Sequence, residues 1–208
     1  MLDDKDTNLL LDKYRVLDLT NEDGYLCARI LADMGADVIK IEKPGGDAGR
    51  RRGPFYHDIP HPEKSLYWFA YNLNKRGITL DIETADGRAL FKRLVEKADF
   101  VIESFAPGYM DSLGLGYSSL SDINRRLIMT SITPYGQTGP HKDWKSSDIV
   151  AMATGGFMAQ AGDPDKPPVR ISVEQACLHG SSEAALASLI AHNQCQNDGE
   201  GQHIDVSI

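Results

Sequence analysis

The chain has little positive charge for its length, and it has no long apolar run. Its 208 residues include 22 Lys and Arg against 30 Asp and Glu, a formal net charge of −8. This balance argues against a chain-wide basic surface for nucleic acid. No apolar stretch approaches the roughly 20 residues of a membrane-spanning helix, and the acidic start is unlike a signal peptide. We therefore expect a cytoplasmic protein that binds neither nucleic acid nor membrane.

Cysteine and histidine are sparse. The three cysteines, Cys27, Cys177 and Cys195, are odd in number, far apart and form no Cys-x-x-Cys pair. Free thiols in a reducing compartment fit this spacing better than disulfides or a zinc site. The six histidines form no His-Glu-x-x-His pattern. We expect no bound metal.

Three common catalytic motifs are also missing. A nicotinamide enzyme would carry Gly-x-Gly-x-x-Gly after its first strand, but this turn is Asn21-Glu22-Asp23-Gly24, whose two acids would repel a pyrophosphate. The Walker lysine motif and the Gly-x-Ser-x-Gly elbow of the α/β hydrolases are absent as well. The sequence therefore argues against dinucleotide redox, P-loop and serine-hydrolase chemistry.

The sequence does contain a repeated alternation of apolar strands and amphipathic helices. It predicts strands over 15–20, 37–42, 77–82, 100–105 and 127–133, and helices over 25–34, 84–97, 110–113, 120–125, 148–153 and 174–191. This order predicts an α/β fold, a doubly wound, Rossmann-like and mostly parallel sheet. We expect a disordered or extended tail over residues 1–12 and a domain over 13–208.

The ligand crevice of such a sheet lies at the carboxyl ends of its strands. The segments that follow the predicted strands are 21–24, 43–49, 104–108 and 135–145. These four segments are the candidate site.

Seven short motifs follow one another along residues 13–208. They lie at 16–20, 31–42, 72–76, 103–108, 114–117, 135–140 and 199–207. Together they resemble the family III CoA-transferases, the group that contains formyl-CoA transferase, the carnitine CoA-transferases and the α-methylacyl-CoA racemases. The resemblance implies the CoA-binding large domain of a longer chain, truncated before a small domain; a complete short form is the alternative. It also implies an interlocked dimer, with an acyl-CoA and a carboxylic acid as substrates and no permanently bound cofactor.

The resemblance places CoA contacts on particular residues. Lys43 matches a cation that meets a CoA phosphate, Leu80 a residue at the adenine, and Lys145 a basic residue near the pantetheine. Ser104 and Phe105 match an Asn-Phe pair that contacts CoA, and Ser104 departs from it. The alternatives are a solvated surface lysine at Lys43 and ordinary packing at Leu80.

Lys75 and Arg76 are two further candidates for holding a CoA phosphate. They lie in a motif that agrees closely with the family, 72–76. Because the whole chain is acidic, the cations that hold an anionic ligand must be placed locally. Pairing with surface carboxylates is the alternative role for both.

The catalytic position departs most from the family. The resemblance implies an Asp nucleophile that attacks the thioester and then carries CoA itself. Its distance from the acid matched by Asp148 places it at Cys177 in this chain. A thiolate there would capture an acyl group but would not form the anhydride that lets an acid accept CoA. An inert buried thiol is the alternative. Glu174, one helical turn away, is the nearest acid along the chain.

Three functions remain open at this stage. The first is a subunit of a heteromeric acyl-CoA:carboxylate CoA-transferase in which only an unlike, paralogous subunit carries the Asp. The second is a stand-alone transferase that uses a displaced carboxylate such as Glu174. The third is a non-catalytic CoA-thioester-binding or scaffold protein. Racemase chemistry is disfavoured, because the His that racemases place before the Asp148 position is Ser147 here.

Overall fold

A computed structural model describes residues 9–208. The strands are β1 (Arg15–Leu19), β2 (Asp37–Glu42), β3 (Arg76–Thr79), β4 (Phe100–Glu103), β5 (Ile128–Thr133) and β6 (Gln202–Ser207). The helices are α1 (Tyr25–Asp33), α2 (Leu66–Asn72), α3 (Ala85–Val95), α4 (Tyr109–Ser112), α5 (Tyr117–Ser121), α6 (Asp148–Thr154) and α7 (Ala176–Asp198).

The six strands form one sheet in the order β3-β2-β1-β4-β5-β6, and every neighbouring pair is parallel. The predicted doubly wound α/β fold is confirmed. The central strands are almost wholly buried because helices cover both faces, which explains their continuous apolar character. The chain runs from β1 to β2 and β3 on one side, and then crosses to β4 on the other side of β1. A crevice therefore opens at the carboxyl end of β1.

Alternate residues of the same strands build two separate cores. Val16 and Phe100 point to one face, where they pack with α1 and α7 through residues such as Ala184. Leu17 and Val101 point to the opposite face and pack with α3 to α5. This alternation follows from the two-residue period of a strand.

Several elements differ from the sequence prediction, and helix α5 occupies Tyr117–Ser121 where the sequence predicts a helix over 120–125. The helix α2 was not predicted, although Ser65 caps it by accepting the Trp68 N–H at 3.0 Å. Strand β3 lies at the sheet edge and ends at Thr79 instead of residue 82, after which Ile82 turns into the second core. Helix α7 continues to Asp198 rather than residue 191, and it ends where Gly199 adopts a left-handed φ of 80°.

The first described residues lie close to the predicted boundary between the tail and the domain. Residues 1–8 of the predicted tail fall outside the described residues. Leu11 is buried, and its N–H donates to the Met34 carbonyl at 3.0 Å. The packed part of the chain therefore includes residues before 13. Within the described part of the chain, no helix is both long and apolar enough to cross a membrane.

Candidate active site

A groove crosses the carboxyl ends of the strands, and its first two parts share a residue. The outer cleft, of about 560 Å³, is lined by Lys43, Leu80 and Phe105 together with the ends of β1 and β2. The middle cleft, of about 320 Å³, is lined by Phe105, Ser104 and Lys145. The fold thus brings together five of the seven residues that the resemblance assigned to CoA.

The third part of the groove is acidic. This inner cleft, of about 250 Å³, is lined by Glu22, Asp23, Asp148, Glu174 and Cys177. Asp23 also lines the middle cleft, so the two clefts meet at its side chain. A ligand that enters over Phe105 therefore reaches Cys177 by passing Asp23.

The first loop, residues 21–24 after β1, is fixed by hydrogen bonds between distant parts of the chain. Ser104 donates to Asn21 Oδ1 at 2.9 Å and accepts the Asn21 N–H at 2.8 Å. Asn21 Oδ1 also accepts the Asp23 N–H at 2.9 Å, and Ser181 of α7 donates to the Asp23 carbonyl at 2.9 Å. Ser104 thus uses its hydroxyl to hold the loop. The side chain of Phe105 presents an apolar face to the groove. Its ring also packs against the ring of Tyr109, with the two ring centroids 4.8 Å apart.

Cys177 lies in the first turn of α7, and an acid from α6 holds the start of this helix. Asp148 Oδ1 accepts the N–H groups of Gln175 at 2.6 Å and Ala176 at 2.8 Å. The Cys177 thiol donates to Asp23 Oδ1 at 3.2 Å. Burial raises the pKa of this thiol well above its usual range, and the neighbouring carboxylates, Asp23 first, add to the shift. Cys177 is therefore a protonated thiol at neutral pH and not a ready nucleophile.

Glu174, the other catalytic candidate, is engaged in an ion pair. Its carboxylate lies 2.6 Å from Arg52, which also binds Glu22 at 3.0 Å and stacks over the Tyr67 ring at 4.2 Å. Arg52 neutralises part of the acidic inner cleft. Arg52 lies in an irregular Arg- and Gly-rich loop that matches no motif, so the sequence does not predict its role.

The structure places Lys75 away from the groove. Its ammonium group is buried and donates to Asp18 Oδ2 at 2.8 Å, the Tyr25 carbonyl at 2.9 Å and Asn72 Oδ1 at 2.9 Å. Lys40 contacts Asp18 from the other side at 3.3 Å. Lys75 therefore joins β1 to α1 and to the end of α2, and its donors are directed into the protein.

Arg76 lies at the opposite edge of the sheet. Its guanidinium pairs with Asp37, the first residue of β2, at 2.6 Å, and Arg15 at the start of β1 shares the same carboxylate at 2.9 Å. Because these residues begin their strands, they lie at the amino ends and not at the carboxyl ends that form the groove. The predicted phosphate contact of Arg76 does not fit this position.

A doubly wound parallel sheet with a groove across its strand ends defines a Rossmann-like α/β ligand-binding domain. Comparison with known proteins gives the family. The chain belongs to CoA-transferase family III, whose model matches residues 11–208.

Curated relatives agree with this family. The chain is 43% identical over 195 residues to "Succinyl-CoA:(R)-benzylsuccinate CoA-transferase subunit BbsE" of Thauera aromatica, covering 94% of this chain and 48% of that protein. It is 40% identical to "Succinyl-CoA--D-citramalate CoA-transferase" of Chloroflexus aurantiacus, covering 95% and 49%. It is 37% identical to "Succinyl-CoA--L-malate CoA-transferase beta subunit" of the same organism, covering 100% and 51%. The chain spans about half the length of these relatives.

The fold has a counterpart among solved structures. A CAIB/BAIF family protein from Brucella suis superposes with a TM-score of 0.89 at 39% identity, covering 96% of this chain and 53% of that protein. The predicted Rossmann-like large domain of this family is thus confirmed at the level of the fold.

Proposed function

We propose that this chain is a subunit of a heteromeric acyl-CoA:carboxylate CoA-transferase. The observation that carries the proposal is the set of side chains that line the groove. The middle and outer clefts keep cations and an apolar ring where the resemblance expects CoA, while α7 carries a protonated thiol, Cys177, in place of a carboxylate. An enzyme with two unlike subunits accounts for a preserved binding groove beside an altered catalytic position.

In this proposal CoA lies along the outer and middle clefts. Lys43 and Lys145 are exposed at these clefts and suit the phosphates and the pantetheine end of CoA. Leu80 and Phe105 offer apolar surface to the adenine and the chain that follows it. Lys75 takes no part, because its donors are already bound within the protein.

Two relatives are named as subunits, and the three described above are named as acting on succinyl-CoA with different acids. These names support succinyl-CoA as the donor to test and a dicarboxylic acid as the acceptor. The assembly we propose is a cytoplasmic, interlocked dimer of this chain with a paralogous subunit. CoA is a substrate in this scheme and not a resident cofactor.

The test is a mixing experiment. The full chain and its paralogous partner are purified separately, and transfer of CoA from succinyl-CoA to a panel of dicarboxylic acids is followed by chromatography of the thioesters. We expect transfer from the mixture and only background from this chain alone. Full activity of the isolated chain would show that the heteromeric proposal is wrong.

The same preparation distinguishes the two other functions. Calorimetry with CoA that shows binding, together with an inactive mixture, would indicate a non-catalytic CoA-binding protein. A stand-alone transferase that uses Glu174 is the less favoured alternative, because Arg52 holds this carboxylate at 2.6 Å.

A further inference from the structure

The inner end of the groove contains a carboxylate, Asp23, close to the position on α7 where the resemblance expects the nucleophilic Asp. Asp23 Oδ1 is 3.2 Å from the sulfur of Cys177, the residue that the resemblance matches to the family's nucleophile. Among the acidic residues that the structure describes, Asp23 is the one that lines both the middle and the inner cleft. A carboxylate is therefore present one hydrogen bond away from the position where α7 lacks one.

The backbone of Asp23 is held rigidly. Its N–H is bound by Asn21 and its carbonyl by Ser181 of α7. The next residue, Gly24, packs so closely that an added Cβ would lie 2.5 Å from Thr20 Cγ2. The loop is thus fixed by β1, β4 and α7 together, as a positioned reacting group requires.

The other acids of the inner cleft have partners of their own. Arg52 binds both Glu22 and Glu174. Asp148 caps α7 through Oδ1, while its Oδ2 is buried 3.9 Å from Arg170 and has no hydrogen-bond partner within residues 9–208. Asp23 accepts one hydrogen bond from a thiol, and no ion pair to it is present among residues 9–208. Burial raises the pKa of Asp23, the Cys177 hydrogen bond opposes this shift, and Glu174 adds to it. A more basic carboxylate is a stronger nucleophile.

We propose that Asp23 is the carboxylate nucleophile of this chain, displaced from the helix to the first loop. This would give a heteromeric transferase a second reaction site, one that works only in the complex with the partner subunit, since this chain alone is expected to show only background transfer. The inference rests on the proposed function in so far as the groove must bind an acyl-CoA. Cys177 keeps its proton throughout and acts as a positioning residue that orients Oδ1, which leaves Oδ2 to react.

The reaction balances without an added reagent. Asp23 Oδ2 attacks the thioester carbonyl, the C–S bond breaks, and CoA leaves as thiolate with the bonding electrons, giving an acyl–aspartyl anhydride. The thiolate attacks the aspartyl carbonyl, releases the first acid as its carboxylate and forms an Asp23–CoA thioester. An incoming carboxylate attacks that thioester and expels the thiolate again. The thiolate takes the new acyl group and restores Asp23.

The test is covalent trapping in the full chain together with its partner subunit. The complex is incubated with succinyl-CoA and treated with borohydride, which reduces an aspartyl–CoA thioester to homoserine, and the peptides are mapped by mass spectrometry. We expect homoserine at position 23. Modification only at Glu174, at Cys177 or in the partner would overturn the assignment, and so would CoA binding without any adduct in this chain. No CoA binding by calorimetry would instead overturn the proposed function.

Three variants and one control variant sharpen the test. Asp23→Asn should lower trapping in this chain by about a thousandfold, while the matched, exposed and remote Asp122→Asn should leave it unchanged. Cys177→Ala should still be trapped at Asp23, which a nucleophilic thiol would not allow. Cys177→Asp in the Asp23→Asn background should move the adduct to position 177. Unchanged trapping in Asp23→Asn would refute the inference.

Discussion

Glu103 is a carboxyl group that the proposed chemistry does not use, and it gives the chain a dependence on pH. It is 3% exposed at the end of β4, where Oε2 accepts the Phe105 N–H at 2.7 Å. Burial raises its pKa from 4.5 to about 7; hydrogen bonds from Ser131 and Phe105 oppose the shift, and the Asp111 and Asp205 carboxylates add to it. The folded chain therefore holds this proton more tightly than the unfolded chain does.

The sign of the pH effect follows from this difference. Between about pH 4.5 and pH 7 the folded state binds more protons, so Glu103 makes stability fall as pH rises, by about 3 kcal/mol at most. Glu103→Gln should remove that decline, as measured by urea unfolding at pH 5, 6, 7 and 8. The exposed Glu96→Gln is the control and should keep it. A parallel decline in Glu103→Gln and the parent chain would contradict the prediction.

Lys75 is the second residue whose contacts predict a clear effect. With Lys40 it surrounds the buried Asp18, and although burial alone would raise the pKa of Asp18, the two ammonium groups lower it to about 2. Lys75→Met would leave Asp18 and two further acceptors short of a donor. We expect a loss of about 3 to 5 kcal/mol in the free energy of unfolding.

The measurement for Lys75→Met is the urea midpoint of the full chain at neutral pH. The exposed Lys97→Met, a matched substitution with no ion pair among the described residues, should shift the free energy by no more than about 0.5 kcal/mol. Equal midpoints for the two variants would indicate that Lys75 is not part of the structural core.

At the scale of elements, the geometry of the site depends on how α7 begins. The helix starts at Ala176 with no cap from its own preceding side chain, and Asp148 of α6 supplies the acceptor from another part of the chain. Such a cap also places a negative charge at the positive end of the helix. The position of Cys177 therefore depends on a contact between two helices.

Asp148→Ala should fray the first turn of α7. The expected cost is about 1 to 2 kcal/mol, with faster amide exchange over residues 175–178 and little change near residue 190. Hydrogen exchange followed by mass spectrometry measures both regions in one sample. Asp165→Ala, in an exposed loop, is the control. Uniform exchange along α7 in both variants would argue against the cap.

At the scale of the whole molecule, the fold was predictable from sequence because its signals are local. Gly35 and the apolar runs around it define a strand–helix–strand unit that the structure confirms. The aromatic helix α2 was missed, since its exposed and buried faces have similar composition. The resemblance also named five of the residues that line the groove, of which only Ser104 and Phe105 lie within the seven motifs. It did not predict the Asp23–Cys177 contact, which joins residues 154 apart in sequence.

The positions of Lys75 and Arg76 show where a residue-by-residue transfer fails. Both belong to a motif that agrees closely with the family, yet their partners, Asp18 and Asp37, hold them inside the sheet and at its amino edge. The match to the motif predicts a cation at these positions but does not predict its partner. Whether the cation binds a ligand or another part of the protein depends on the end of the strand at which it lies, and only the folded structure shows that position.

The central place of β1 has a consequence for synthesis. Its neighbour β4 follows much later, and the bond between Arg15 and Asp99 spans 84 residues. At about 5 to 20 residues per second, a nascent β1 waits roughly 4 to 17 seconds for that neighbour on the ribosome. During this interval β1, α1 and β2 can pack only with one another and with α2, β3 and α3, which precede β4 in the chain. The Asn21 loop meets Ser104 when β4 emerges and meets α7 later still, so the groove is among the last features of the newborn chain to be assembled.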